Sequence, residues 1–411
     1  MGAYVGHLAC PRCLTEVAEA EAFWGCPSCQ KEGLAVNVHP VYRLDGVSLE
    51  ADQSATGLLR YRALLPLQEG VTYFSLGEGA TPLIHLGKIG EEIGLDQLYV
   101  KDETQNPTWS YKDRLAAVAV NHAWGSGAET VVVATTGNHG AAVAAYAAAA
   151  GLRCVALTLE SVPSTMKVLM QIYGAHVVAL SSGPERWELL RKAVSKFGWV
   201  PMSSLTDPPI GSNPFGIEGY KTIAYELVAS LGRQPDVVVV PTAYGDGLVG
   251  IYRGFRDLCE LGEIEVPPRM VAAEPLGPYS ASLATDSETP TSVPLQPSVA
   301  FSIASPVATY QGIQAIRQSG GTSVVVGQDE RILAGQRELA TAGLYLEASA
   351  AISLPAVTEL VATGWISGSD LVVCIGTSSG LKDTDATAGI LAEVPTIRPD
   401  IDDLCMAIGG A

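Results

Sequence analysis

Short apolar runs alternate with helical patterns through most of this 411-residue chain, and that alternation limits the possible folds more than any other feature. Runs of Val, Ile and Leu without polar alternation are buried on both faces, which is typical of parallel strands covered by helices. The predicted strands are Leu98–Lys101, Thr130–Ala134, Cys154–Leu159, His176–Leu180, Asp236–Pro241, Met270–Glu274, Thr322–Val326 and Asp370–Ile375. The predicted helices are Lys112–Trp124, Gly140–Ala150, Ser164–Tyr173, Arg186–Phe197, Glu218–Leu231 and Leu248–Leu261. The sequence therefore predicts an α/β fold.

Four of the eight cysteines form two closely spaced pairs near the N-terminus. Cys10 and Cys13 make one Cys-x-x-Cys turn, and Cys26 and Cys29 make the other. Two such turns present four thiolates to one tetrahedral ion, so we expect a zinc-ribbon-like module with a structural zinc. A disulfide pair is the weaker interpretation in a reducing compartment. The other four cysteines are scattered singly and receive no catalytic role.

Charge and hydropathy restrict the partners. The 43 acidic residues outnumber the 25 basic ones, which gives a formal net charge of −18. This excess disfavours nucleic acid and anionic membranes, because both repel an acidic surface. The N-terminus shows no signal peptide, and apolar segments such as Gly140–Gly151 are too short to span a bilayer. We therefore expect a cytoplasmic protein that acts on a small molecule.

Lys112 stands at the start of a predicted helix, in a loop that follows a predicted strand. Loops of this kind bind ligands in open α/β sheets, because they lie beyond the carboxyl ends of the strands. A cation is disfavoured at a helix N-terminus, whose dipole is positive, whereas a neutral amine or an imine is not. The position suits a Schiff-base lysine. A solvated surface lysine explains the same segment equally well.

Three more loops have the same placement. In one of them, a turn bracketed by glycines, the amide of Asn138 can project into the cleft. The next is a turn at a helix start, where backbone amides form an anion cradle if the Asp246 carboxylate points away. Its residues are Gly245, Asp246, Gly247 and Leu248. Thr377, after the last apolar strand, supplies a hydroxyl. Tight turns without a ligand explain the first two loops as well.

Five segments, taken together in their order and spacing, resemble one family. They are Gly77–Leu83, Lys101–Arg114, Thr136–Gly140, Glu218–Thr222 and Thr377–Asp383. On these segments the chain resembles the threonine synthases, within the fold-type II pyridoxal phosphate enzymes, over nearly its whole length. Several bacterial and archaeal members also have a cysteine-rich N-terminal module like residues 10–29.

The resemblance implies roles for individual residues. Lys112 matches the lysine that forms a Schiff base with pyridoxal 5'-phosphate and removes the α-proton of the substrate. Asn138 matches the asparagine at the cofactor's phenolic oxygen, and Thr377 matches the hydroxyl residue at its pyridine nitrogen. The amides of the 245–248 turn match the phosphate site. Candidates for binding the substrate are Ser110, Arg114, Thr136 and Lys221. Arg114 fits equally well as an exposed partner of Asp113.

The implied reaction converts O-phospho-L-homoserine and water into L-threonine and phosphate. A hydroxyl at the pyridine nitrogen makes the ring a weaker electron sink than a carboxylate does, which suits elimination and replacement. Three departures from the family pattern leave the substrate open: Trp109 replaces a glycine, Ala243–Gly247 replaces an asparagine-containing loop, and Ser378-Ser379 replaces Gly-His.

Two other functions fit parts of the sequence. One is a β-eliminating or β-replacing enzyme acting on serine, threonine or phosphoserine, such as a dehydratase or a cysteate synthase. The other is a non-catalytic regulator that binds zinc and cofactor, which the presence of Lys112 and Asn138 disfavours.

The resemblance also implies an architecture. We expect two three-layer α/β domains of the tryptophan synthase β-subunit kind with the cofactor between them. The zinc-ribbon module is expected at residues 1–45, the large domain at 46–103 and 206–411, and a small mobile domain at 104–205. Relatives are commonly homodimers, so a homodimer is expected here.

Overall fold

The computed structural model describes residues 4–47, 49, 52 and 54–409. Its strands are β1 Val5–Ala9, β2 His39–Tyr42, β3 Leu83–His85, β4 Gln97–Asp102, β5 Thr130–Ala134, β6 Arg153–Leu159, β7 His176–Leu180, β8 Val200–Pro201, β9 Val237–Pro241, β10 Arg269–Glu274, β11 Thr322–Val325 and β12 Leu371–Gly376. Its α-helices are α1 Pro27–Lys31, α2 Gly87–Ile93, α3 Lys112–Gly125, α4 Asn138–Ala149, α5 Ser164–Ile172, α6 Gly183–Phe197, α7 Pro214–Ile217, α8 Lys221–Leu231, α9 Asp246–Glu260, α10 Pro278–Leu283, α11 Tyr310–Gln318, α12 Asp329–Thr341, α13 Ala348–Ala351, α14 Ser353–Ala362, α15 Thr384–Ala388 and α16 Ile401–Ala407. Short 3-10 helices cover Glu19–Trp24, Gly57–Leu64, Glu103–Gln105, Glu218–Tyr220 and Gly380–Lys382.

Two mainly parallel sheets form the body of the chain. The six-stranded sheet has the order β11-β10-β9-β12-β4-β3, in which β3 pairs antiparallel with β4 and the other neighbours are parallel. The four-stranded sheet has the order β7-β6-β5-β8, and its pairs are parallel. Strands of the smaller sheet lie within the 104–205 range predicted for the small domain.

Both sheets are covered by helices on their two faces. Val373 and Ile375 of β12 lie in the same hydrophobic core as residues of α8 and α9. Val372 and Cys374 lie in a second core with residues of α12 and α14. Because successive side chains of a strand point to opposite faces, the sheet is buried on both sides. The structure confirms the predicted α/β class.

The N-terminal module is a small unit packed on this body. Its two strands, β1 and β2, pair antiparallel. Buried residues of the module, including Val36, Cys10, Cys26 and Cys29, share a core with Phe215 and Tyr310 of the body, and the partly buried Cys13 packs against it. The module therefore packs against the body of the chain.

Three helices begin earlier than predicted: α6 begins at Gly183 instead of Arg186, and the other two begin at predicted functional residues. α4 begins at Asn138 instead of Gly140, and α9 begins at Asp246 instead of Leu248. In both cases the preceding glycine has a positive φ, 139° at Gly137 and 82° at Gly245, which turns the chain directly into the helix. Both helix starts thereby fall on predicted functional residues.

Other elements were not predicted. β8 and the antiparallel edge strand β3 are two and three residues long, too short to give a periodic pattern. α10 extends to Leu283, into the segment expected to be a surface loop from Ser280 to Pro306. Among the described residues, no helix is long and apolar enough to cross a bilayer.

Candidate functional site

The loops that follow β4, β5, β9 and β12 converge at one place. Since β12 lies between β9 and β4 and all three are parallel, their carboxyl ends share one edge of the six-stranded sheet. The Tyr111 amide donates to the Thr377 carbonyl oxygen at 2.9 Å, and an isolated bridge joins Ser110 to Ser378. The loop before α3 and the loop after β12 are thus joined directly.

Lys112 is the first residue of α3 and is partly exposed. Its Nζ lies 4.9 Å from the ring centroid of Tyr111 and 5.8 Å from that of Tyr220. The two tyrosine rings pack at 4.7 Å. Within the described chain, no carboxylate lies within ion-pair distance of this amine. Lys112 is thus an amine beside aromatic rings that carries no structural ion pair.

Asn138 is held from both ends of its amide. Its Oδ1 accepts hydrogen bonds from Lys382 Nζ at 2.8 Å and from Ser378 Oγ at 3.2 Å. Its Nδ2 donates to Glu347 Oε2 at 2.8 Å. These contacts fix which side of the amide donates, and they leave one N–H of the NH₂ group free.

Charges around this amide are strongly desolvated. Burial lowers the pKa of Lys382, and the Asp113 and Glu347 carboxylates partly offset the shift. Burial raises the pKa of Asp113, whose Oδ2 accepts hydrogen bonds from the amide and the hydroxyl of Thr108. Burial and the nearby Lys112 lower the pKa of His139 to about 3, so its imidazole is neutral at pH 7. Burial is therefore the largest cause of the pKa shifts of Lys382, Asp113 and His139.

At the start of α9 the Asp246 carboxylate points away from the helix amides, as an anion cradle requires. The Asp246 carboxylate accepts hydrogen bonds from the Ser212 amide at 3.0 Å and from the Ser212 hydroxyl at 2.7 Å, which directs it toward that loop. A Cβ on Gly245 would lie 2.4 Å from the Tyr279 hydroxyl, and one on Gly247 would lie 2.5 Å from the Tyr111 ring. Only glycine fits at these positions, and the first amides of α9, including that of Leu248, have no acceptor within the helix.

The N-terminal module reaches this helix start through hydrogen bonds. Asn37 Nδ2 donates to the Ser212 carbonyl oxygen at 3.0 Å. The preceding residue, Val36, accepts from the Cys26 amide at 2.9 Å. Since Ser212 holds the Asp246 carboxylate, the cysteine turns and the α9 cradle are connected by a short chain of contacts.

The substrate role predicted for Arg114 is not supported. Its side chain is fully buried, and its three nitrogens all donate to acceptors from other parts of the chain. Glu103 and Glu226 each accept two of these hydrogen bonds, between 2.7 and 2.8 Å. The alternative of an exposed partner for Asp113 is also wrong, because the guanidinium is buried among other carboxylates.

Lys221 lies apart from the candidate site as well. Its Nζ is 2.8 Å from Asp257 and 3.2 Å from Glu218. The ring centroid of Tyr42, on β2 of the module, is 3.5 Å away. Lys221 therefore neutralises acids at the contact between the module and the body.

The remaining predicted residues lie in the converging loops. Ser110 is fully buried, and its Oγ has no partner among the described residues. Thr136 is partly exposed in the turn between β5 and α4. Thr377 is buried at the end of β12, next to its backbone contact with Tyr111.

Trp109 has a backbone conformation that is unusual for its residue type. Its φ is 61°, in the left-handed region that favours glycine. Its amide donates to the Asn106 carbonyl at 2.8 Å, and its carbonyl accepts from the Ser379 amide at 3.1 Å. Two of the departures from the family pattern, Trp109 and Ser379, thus touch each other. The indole is 43% exposed.

The residues present fit pyridoxal phosphate. Buried polar atoms without a protein partner in the described chain gather around Lys112 and Asn138. They are Ser110 Oγ, Asp113 Oδ1, His139 Nε2, Tyr220 Oη and Glu347 Oε1. Buried polar groups are normally satisfied, so such a concentration indicates a binding site for a polar molecule. The unpaired amine and the α9 amides supply groups for an aldehyde and a phosphate.

The four paired cysteines also fit a metal ion. Their sulfurs lie within 4.8 Å of one another, and all four are free thiols. The contacts Cys10–Cys29 and Cys13–Cys26 are 3.6 and 3.5 Å, close to the edge of about 3.8 Å of a tetrahedron with zinc–sulfur distances of about 2.3 Å. Backbone amides of Arg12 and Cys29 point at sulfurs, as the Cys-x-x-Cys turns predict.

Sequence reasoning missed three charged residues near the site. Lys382 belongs to a quoted segment, but nothing in its local pattern shows that it is buried. Glu347 is the single charge in an otherwise apolar and small-residue stretch, which is a usable signal. Arg186 was assigned only as the start of a helix, and its burial depends on contacts that sequence does not display.

Comparisons with known proteins give a consistent family. Residues 74–378 match the family described as "Pyridoxal-phosphate dependent enzyme". A threonine synthase of Methanosarcina acetivorans is 33% identical over 416 residues, covering 98% of this chain and 99% of that protein. One of Methanocaldococcus jannaschii is 33% identical, covering 85% and 86%.

A solved structure adds a likeness in fold. The holo diaminopropionate ammonia lyase of Escherichia coli superposes with a TM-score of 0.66 at 17% identity, covering 77% of this chain and 90% of that one. These matches, with the two sheets, confirm the predicted fold-type II architecture preceded by a cysteine module.

Proposed function

This chain belongs to the family of pyridoxal-phosphate dependent enzymes, and from that premise we propose that it acts as a threonine synthase. It is a pyridoxal phosphate-dependent lyase similar to the threonine synthases. The proposed reaction converts O-phospho-L-homoserine and water into L-threonine and phosphate.

The observation that carries this proposal is the environment of Lys112. The amine has no acidic partner in the described chain and lies beside two tyrosine rings at a helix N-terminus. An amine that carries no structural ion pair is available for covalent chemistry. The neighbouring Asn138 and α9 amides supply the other groups that the cofactor requires.

Bound pyridoxal phosphate supplies an electron sink for the carbanion that forms at the α-carbon. Lys112 would hold the cofactor covalently and, once released, would take the α-proton of the substrate. Asn138 would donate its free N–H to the cofactor's phenolic oxygen, since Lys382 and Ser378 keep the amide in the donating orientation. Thr377 would supply a hydroxyl at the ring nitrogen, and the amides of residues 245–248 would hold the phosphate.

In the proposed overall reaction the bond between the γ-carbon and the ester oxygen breaks, and phosphate leaves with the bonding electrons. The β-carbon gives up one proton before water adds its oxygen there, and protons return to the α-carbon and to the γ-carbon, which becomes the methyl group of threonine. Atoms and charge balance without an oxidant or a reductant.

A second candidate is β-elimination or β-replacement on serine, threonine or phosphoserine. The observation that favours it is the state of Arg114 and Lys221, the two cations predicted to bind a substrate anion. Both are already paired with carboxylates. Serine or threonine, which carry no distal anion, would need neither residue.

The deciding experiment uses protein loaded with pyridoxal phosphate and O-phospho-L-homoserine, following phosphate and threonine together. Equal release of both products supports the proposal. Lys112→Ala should abolish the absorbance of the covalently bound cofactor and lower turnover by about 10²–10⁴-fold. The matched control is Lys88→Ala, an exposed lysine on α2, which should change neither. A keto acid formed from serine or threonine, without threonine synthesis, would select the second candidate.

We also propose a structural zinc ion held by Cys10, Cys13, Cys26 and Cys29. A shell of four thiolates leaves no position for a substrate, so the ion stabilises the module. Metal analysis should find one zinc per chain, and Cys13→Ser should lower both zinc content and melting temperature. A value below half an equivalent in protein purified without chelators would count against the site.

A cytoplasmic homodimer completes the proposal, by analogy with relatives. Light scattering on the purified protein tests the dimer: a mass near twice 42.9 kDa supports it, and a mass near 42.9 kDa refutes it. Fractionation of cells that express the chain tests the compartment.

A further inference from the structure

Arg186 is a buried cation without a buried anion. Its side chain is only 6% exposed, and Nη1 donates to the Thr135 carbonyl oxygen at 2.8 Å. Its Nε is buried and has no acceptor, and no carboxylate among the described residues is within ion-pair distance. By contrast, Arg114 is paired with two glutamates. Buried charges are normally paired, so the unpaired guanidinium requires a partner from outside the chain.

The position of Arg186 within its helix is also unfavourable for a cation. It lies in the first turn of α6, where the helix dipole is positive. Burial lowers the pKa of Arg186, and the nearby Tyr244 opposes that shift. In the described part of the chain, no carboxylate lies within ion-pair distance of the guanidinium to explain why a cation is retained there.

Its neighbours place it beside the candidate site. Thr135 comes directly after β5 and directly before the turn that carries Thr136 and Asn138. Tyr244 precedes the α9 cradle and belongs to the loop after β9. Arg186 therefore lies close to both the turn that carries Asn138 and the loop that precedes α9.

The guanidinium is also held in place. The Thr135 carbonyl fixes one N–H, and the Trp187 ring centroid lies 5.1 Å from Cζ. A guanidinium has five N–H donors, and one is used here, so a planar edge remains for a carboxylate or phosphate. Positioned donors in a desolvated cleft form an anion receptor.

We propose that Arg186 binds the anionic group at the end of the substrate side chain. Under the function proposed above, on which this inference rests, that group is the phosphate of O-phospho-L-homoserine. Arg186 thus takes the role for which Arg114 and Lys221 are unavailable, and it selects substrates that carry a distal phosphate over neutral amino acids.

The test compares two ligands that differ in this anion. O-phospho-L-serine and L-serine are titrated into pyridoxal phosphate-loaded protein, and binding is followed by the absorbance change of the bound cofactor. Wild-type protein should bind the phosphorylated ligand more tightly. Arg186→Gln should weaken O-phospho-L-serine binding by about 10- to 100-fold and change L-serine binding by less than about 2-fold. Arg186→Lys should fall between these, because lysine keeps the charge and loses the planar fork.

Arg191→Gln is the matched control, since it removes an arginine from the same helix. It should leave the ratio of the two affinities unchanged. Melting temperatures and the affinity for pyridoxal phosphate are measured for every variant.

Three results would overturn the inference. The first is a wild-type protein without a preference for the phosphorylated ligand, and the second is an Arg186→Gln variant that binds both ligands equally more weakly. A loss of affinity for pyridoxal phosphate alone would assign Arg186 to the cofactor phosphate. The proposed function fails separately: if no threonine forms from O-phospho-L-homoserine but the affinity ratio depends on Arg186, the anion receptor stands and the reaction is another one.

Discussion

Two buried polar clusters meet at the first turn of α3, and they differ in how completely their atoms are paired. The paired cluster consists of Lys101, Glu103, Arg114 and Glu226, in which both basic residues contact carboxylates at 2.7 to 2.8 Å. The open cluster consists of Asp113, Asn138, Glu347 and Lys382, and two of its carboxylate oxygens have no partner in the described chain.

Burial and charge do not separate these clusters, because both are almost fully buried and both are rich in charges. Satisfaction does. A cluster that closes on itself rigidifies the fold, whereas one that leaves donors and acceptors unused is prepared for a ligand. Asp113 and Arg114 are adjacent in sequence, yet Asp113 belongs to the open cluster and Arg114 belongs to the paired cluster.

The largest effect should come from breaking the paired cluster. Arg114→Met leaves Glu103 and Glu226 without their main partner, so the free energy of unfolding should fall by about 3–5 kcal/mol. Urea denaturation of the cofactor-free protein measures it. Arg233→Met, which removes an exposed pair with Asp236, should cost less than about 1 kcal/mol. Equal losses of unfolding free energy in the two variants would contradict a structural role for the paired cluster.

Asn138→Ala should have a smaller effect on stability and a large one on cofactor binding. The substitution removes three hydrogen bonds within the open cluster and should lower the free energy of unfolding by about 1–3 kcal/mol. Its distinguishing result is a higher dissociation constant for pyridoxal phosphate, measured by equilibrium dialysis. Arg114→Met molecules that remain folded should retain the wild-type constant. The reverse pattern would assign the cofactor to the paired cluster.

Acid should destabilise the protein through His139. Its pKa is lowered to about 3 by burial and by Lys112, so the folded protein binds fewer protons than the unfolded chain once the pH falls below about 6.5. Between pH 6.5 and 4 this histidine should lower the free energy of unfolding by up to about 1.4 kcal/mol per pH unit. His139→Gln should flatten the stability curve in that window, and the exposed His176→Gln should not. Parallel curves for wild type and His139→Gln would contradict the assignment.

The smallest effect is expected at Trp109. Replacing it with glycine removes the strain of a left-handed backbone, about 1–2 kcal/mol, and adds freedom to the unfolded chain, so the net gain should be about 0.5 kcal/mol. Differential scanning calorimetry measures this gain. A substrate KM that rises while the melting temperature rises would show that the strain serves the site. A protein that becomes less stable would place Trp109 among the structural residues.

Local patterns in the sequence predicted much of this molecule. The parallel strands, the cysteine turns and the position of Lys112 at a helix start all follow from spacing within about 20 residues. The roles of Arg114, Glu347 and Lys382 do not. Arg114 meets Glu226 across 112 positions, and Asn138 meets Lys382 across 244. Contacts between residues this far apart depend on how the sheets assemble, and a single sequence does not show which distant residues will meet.

The contact between Asn37 and Ser212 also fixes an order of events during protein synthesis. Ser212 is made 175 residues after Asn37, so at about 5–20 residues per second the module waits roughly 9–35 s for its partner. During that interval its four thiols are already on the emerging chain, while the loop that orients Asp246 does not yet exist. Under the proposed zinc site, metal would bind to the first part of the nascent chain, whereas the helix start of α9 that the module contacts is completed much later.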